Sequence, residues 1–152
     1  MIRSIVGTLA LTLLMAAGAA TGATATPWDQ EKVTGLVKEL RAVVAEIQVT
    51  EKSVDDPALV EARAQVVEEL ALLRHNLRYL EQLLAKGEDR EHSWPFAKYC
   101  ENLIERVRRT AAKLPVLPEQ EANVGKAEAL IAEIGGYYGA DAPDVAAPPS
   151  GY

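Results

Sequence analysis

The chain has 152 residues, with 22 acidic against 16 basic side chains and a formal charge of −6. Such a balance excludes nucleic acid and an anionic membrane as principal partners, because both are polyanions. A single cysteine, Cys100, excludes an internal disulfide, so packing alone must hold the fold.

The first 25 residues read as an export signal. Arg3 supplies the basic start, Ile5 to Ala17 the short apolar core, and GAATGATATP the small-residue end, which is the order of a secretory leader. The apolar run falls short of the roughly 20 residues a membrane-spanning helix needs, so cleavage rather than a stable membrane anchor is expected. Ala23-Thr24-Ala25 is the best cleavage match, leaving Thr26 as the new terminus, and Ala17-Gly18-Ala19 competes with it. Lipid attachment at the cleavage point would need a cysteine there, and Cys100 is far downstream. The 127 residues after Ala25 carry 15 basic and 22 acidic side chains, a charge of −7. That length suits one domain with its own core.

Four amphipathic helices are expected between residues 26 and 139. Val33, Leu36, Val37, Leu40, Val43, Val44 and Ile47 recur at helical spacing and predict a first helix from about Trp28 to Glu51. Asp56 is placed to cap a second, with Pro57 at its first position. This helix runs to Lys86, carrying Leu59, Val66, Leu70, Leu73, Leu77, Leu80 and Leu84 at heptad-like spacing with Arg63 as the one intruder. Leu72, Tyr79 and Leu83 form a second apolar group on it, which predicts contact with two neighbours.

Gly87 is the expected C-cap. Residues 88–92 form a polar turn, and Ser93 is the expected N-cap of a third helix opening on Trp94 and Pro95. Its stripe is Phe96, Cys100, Leu103, Ile104, Val107, Ala111 and Leu114, and it ends before Pro115. The fourth helix carries Val124, Ala127, Leu130, Ile131 and Ile134, with Gly135-Gly136 expected to stop it. Residues 140–152 have almost nothing to bury and are expected to form a disordered tail. The fold class expected is all-α: an up-down-up-down four-helix bundle, coiled-coil-like in its spacing, after a cleaved signal.

Bundle cores that hold metals or haem need inward histidine, methionine or carboxylate ligands. Both methionines, Met1 and Met15, belong to the signal. His75 points away from the leucine stripe, and His92 sits in a turn, so no cofactor and no metal are expected. Cys100 falls within a core stripe and reads as a small buried hydrophobe. Arg106, Arg108 and Arg109 occupy the late part of helix three, where cations meet the negative end of the helix dipole. Asp55-Asp56 and Glu88-Asp89 lack the ligand order of a calcium loop.

The aromatic residues are less easily explained. If helix directions alternate, Trp28, Tyr79, Trp94, Phe96, Tyr99, Tyr137 and Tyr138 gather at one end of the bundle, leaving only Tyr152 outside the group. Either these rings plug the core, or they form a recognition surface of the kind that favours tryptophan and tyrosine. No nucleophile with its base and no carboxylate pair can be named, so an enzyme is not expected. The expected function is that of a secreted or periplasmic protein that binds a protein partner, through the aromatic end if that end is a surface. Self-association into a homo-oligomer and carriage of a small apolar ligand are the alternatives.

Overall fold

The computed structural model describes residues 26–49, 56–115 and 118–139. They form four α-helices and no strand: α1 (Gln30–Glu46), α2 (Pro57–Ala85), α3 (Arg90–Ala111) and α4 (Pro118–Tyr138). The expected signal and the expected tail lie outside the described residues. Among those residues, no helix is long and apolar enough to cross a membrane.

Local chemistry explains most helix ends. Asp29 caps α1 by accepting from the Lys32 N–H at 2.9 Å, and Asp56 caps α2 by accepting from the Ala58 N–H at 2.9 Å, with Pro57 at the first position as the sequence indicates. At the other end of α2, Gly87 takes a φ of 85°. Its N–H donates to the Leu84 carbonyl, and the Glu88 N–H to the Leu83 carbonyl. This is the paired closure that a left-handed glycine permits.

Four boundaries depart from the sequence reading; the simplest is the end of α3, at Ala111 rather than just before Pro115. α1 stops at Glu46 rather than near Glu51, and Ile47 turns extended. The Arg74 guanidinium, from α2, donates to the Val44 carbonyl at 3.3 Å and to the Ile47 carbonyl at 2.7 Å. It satisfies carbonyls that a longer helix would have bonded internally. α3 is capped by Asp89, whose side chain accepts from the His92 N–H at 2.9 Å, and not by Ser93, which lies inside the first turn. Pro95 therefore sits within the helix. Its missing N–H deprives only the carbonyl of Glu91, an exposed residue whose carbonyl water can reach. Lastly, α4 passes through Gly135-Gly136 and ends at Tyr138, closed by Gly139 with a φ of 81°.

The helices pack as four neighbouring pairs: α1 with α2, α2 with α3, α3 with α4, and α4 with α1. Every residue of the expected α1 stripe is buried. On α2 the six stripe residues from Val66 to Leu84 are buried, Leu59 is half-buried, and Ala62 takes an inward place beside the half-buried Arg63. Of the second group on α2, Tyr79 and Leu83 pack against the core. Leu72, expected to join them, is 38% exposed. The core continues through Phe96, Cys100, Leu103, Ile104 and Val107 of α3 and Ala127, Leu130, Ile131 and Ile134 of α4.

Candidate functional site

The aromatic cluster is built on Tyr138, the last residue of α4. Its ring lies 5.0 Å from that of Trp28, just before α1, and 5.1 Å from that of Trp94, in the first turns of α3, both tilted. Tilted contacts at this separation are the arrangement that ring quadrupoles favour. A second pair, Tyr79 of α2 and Phe96 of α3, stands at 4.7 Å. Rings from the start of α1, the start of α3 and the end of α4 thus meet directly, and Tyr79 ties α2 to α3.

Burial divides the seven rings. Tyr138, Phe96 and Trp94 are core residues at 0%, 7% and 8% exposure. Trp28, Tyr79, Tyr99 and Tyr137 are half-buried, packed against the core on one side. Beneath the rings runs a buried polar chain: the Tyr138 hydroxyl donates to Ser93 Oγ at 2.9 Å, and the Ser93 hydroxyl donates to the Asp89 carbonyl at 2.7 Å. Burial pushes the Tyr138 phenol up to about 12, against the lowering effect of the Ser93 contact. It therefore stays a neutral hydrogen-bond donor at physiological pH.

Gln30 pins this end together, and the sequence offered no signal for it. Its side-chain amide donates to the Leu84 carbonyl at 2.8 Å and the Glu88 carbonyl at 3.0 Å, while its oxygen accepts from the Trp28 indole N–H at 3.2 Å. The start of α1 is thereby joined to the end of α2, and the Trp28 ring is held in place. Ser93 was expected at a helix cap; its role is the buried partner of Tyr138.

Elsewhere the polar groups pair locally. His75 is exposed. His92 is also exposed, and its Nδ1 lies 2.8 Å from Asp89 Oδ1. The hydrogen bond to that carboxylate, reinforced by its charge, raises the imidazole pKa. Hydrogen bonds from His92, its backbone N–H first, lower that of Asp89. Cys100 is fully buried, and burial pushes its thiol far above the usual range, a setting that opposes nucleophilic reactivity. Among the described residues, no three histidine, cysteine or carboxylate side chains come together as a metal would require.

The three arginines of α3 reach three separate carboxylates. Arg108 meets Glu128 of α4 at 2.8 Å and Arg109 meets Glu105 on its own helix at 2.8 Å. Arg106 meets Glu69 of α2 at 3.1 Å. Glu69 is only 2% exposed; its Oε1 also accepts from Gln65 at 3.3 Å, while Oε2 is buried with no hydrogen-bond partner. No sequence pattern distinguished this glutamate from its exposed neighbours. Removing one partner of a buried pair costs about 3–5 kcal/mol when both are enclosed, but Arg106 is half-exposed. Arg106→Ala is therefore expected to lower stability by about 2–3 kcal/mol, below that range because water screens the guanidinium. Arg109→Ala should lose no more than about 0.5 kcal/mol, as for an exposed pair on one helix. In chemical denaturation, adding Glu69→Leu to Arg106→Ala should recover much of the loss, since no unpaired carboxylate remains inside.

Compared with family models, curated proteins and solved structures, the chain matches none.

Proposed function

We propose that this chain is an exported, non-enzymatic protein that folds as an up-down-up-down four-helix bundle and acts by binding a protein partner at its aromatic end. Export is supported by the basic start, apolar core and small-residue end of residues 1–25. The alternating topology is supported by the contacts of Gln30 with the end of α2 and of Trp28 and Trp94 with the end of α4. The observation that carries the binding reading is the division of burial among the rings. Trp94, Phe96 and Tyr138 form a rigid base, and Trp28, Tyr79, Tyr99 and Tyr137 rest on the core with part of each side chain left to solvent. Half-buried aromatics of this kind offer contact area with little rotamer entropy to lose, as in binding hot spots.

Two measurements test the proposal. The exported protein should have an intact mass that begins near Thr26 and carries no lipid; a mass that retains residues 1–25 overturns the cleaved-signal reading. For binding, Trp28→Ala and Tyr137→Ala are compared with the natural chain in capture from the exported fraction. Capture should weaken by about 2 kcal/mol or more, on the order of a hot spot, with helicity retained. Equal capture by folded variants would remove the aromatic end as the binding surface.

A further inference from the structure

The exposed large hydrophobic residues among the described part of the chain are Val60, Val67 and Leu72, all on α2. Val60 and Val67 are 53% and 50% exposed. With the exposed Ala64 and Ala71 they follow a 4-3-4 spacing, which confines them to an arc of about 60° on the helix. Leu72 projects well away from that arc. A 4-3-4 stripe is the seam spacing of a coiled coil.

The stripe lies on the side of α2 away from its buried residues, an arc that stays exposed further along at Arg74, Arg78 and Ala85. α2 has 29 residues and α1 has 17, a difference of about 18 Å of helix. Gln30 sets the start of α1 beside the end of α2, and Arg74 holds the last carbonyls of α1. The part of α2 that carries Val60 and Ala64 therefore runs on past the point where α1 has stopped. Glu61 and Glu68 flank the stripe on one side and Arg63 on the other. None of the three is ion-paired among the described residues.

We propose that this stripe is where a second copy of the chain docks, α2 against α2 in parallel. In a parallel pair, each flank of one helix meets the opposite flank of the other. Arg63 then faces Glu68 of the second copy, five residues further on, and the pairing occurs twice. An antiparallel pair sets like flanks together and brings the glutamates against glutamates, so the charge pattern selects the parallel arrangement. Two valines and two alanines bury far less than the roughly 800 Å² per partner of a standard interface. The association is accordingly weak and reversible. The surface is independent of the aromatic end, since Val60 lies 19 residues from Tyr79, about 28 Å along the helix.

The test is disulfide trapping of the purified chain at high concentration, with the natural protein as background because Cys100 is buried. Val60→Cys and Ala71→Cys should each form cross-linked dimers alone, because parallel helices bring like positions together. Cross-linking only when the two variants are mixed would overturn the parallel arrangement. In sedimentation equilibrium, Arg63→Glu should weaken the dimer at least tenfold, and Arg63→Glu with Glu68→Arg should restore it, both with unchanged helicity. A monomer at all concentrations without cross-linking overturns the proposal. So does a dimer indifferent to the charge exchange.

Discussion

Leu73→Asp and Leu77→Asp are each expected to abolish the cooperative unfolding transition, whereas His75→Ala, between them on the same helix, should change stability by no more than about 0.5 kcal/mol. Leu73 and Leu77 are 1% and 0% exposed and lie in the continuous core. Truncating a buried leucine to alanine already costs about 2.7–5 kcal/mol through lost transfer energy and the cavity left behind. Aspartate adds a carboxylate with no partner in an apolar setting, a further several kcal/mol whether it stays ionised or takes up a proton. The sum approaches or exceeds the roughly 5–15 kcal/mol that holds a domain of this size. His75 is exposed, so its removal leaves neither cavity nor orphaned group. Thermal and denaturant melts followed by circular dichroism decide the matter, and a greater loss from His75→Ala than from either leucine change would show the phase of α2 to be wrong.

Trp94→Ala is expected to lower stability by about 3–5 kcal/mol, the range for removing a large buried aromatic. The indole is 8% exposed and packs on Tyr138, the fully buried residue that closes α4. Its loss opens a cavity where the start of α3 meets the end of α4. Trp28→Ala should cost less, since that ring is half-buried, and Tyr138→Phe should lose only about 1 kcal/mol, the net worth of one hydrogen bond. Ser93 keeps its own bond to the Asp89 carbonyl in that variant, so no buried donor is orphaned. The contrast separates the base of the cluster from its rim. A Trp94→Ala protein as stable as the natural chain would mean that the aromatic end contributes nothing to the fold.

The aromatic end and the α2 stripe ask different things of the same helix. Tyr79 projects where α2 has neighbours, against Phe96 of α3. Val60 and Val67 project from the side of α2 away from its buried residues. The two proposed surfaces are about 28 Å apart along α2, so loss of capture and loss of self-association are expected to be separable by mutation.

Much of this protein follows from the sequence alone, because periodicity and capping are local. The stripe from Val33 to Ile47 had to be buried, since seven apolar side chains on one narrow face leave a helix no other stable arrangement in water. Asp56-Pro57 and Gly87 mark the ends of α2 through the hydrogen bonds and φ values those residue types supply. The meeting of Trp28, Trp94 and Tyr138 followed from their positions near helix ends and the shortness of the turns. Which rings are buried did not follow, because exposure depends on what the neighbouring helices bring.

Only the tertiary structure decided the remainder, and each case turns on a partner distant in sequence. α1 ends at Glu46, where Arg74 takes its last carbonyls. Gly135-Gly136 remains helical because Tyr138, two residues on, is fixed between Trp28 and Trp94 and bonded to Ser93. Glu69 is buried because Arg106, 37 residues away, reaches it. Local propensities in the sequence set where helices can start and stop. Side chains from other helices choose among those possibilities, since an unmet carbonyl, carboxylate or ring face in the interior costs more than the roughly 1 kcal/mol by which helix propensities differ.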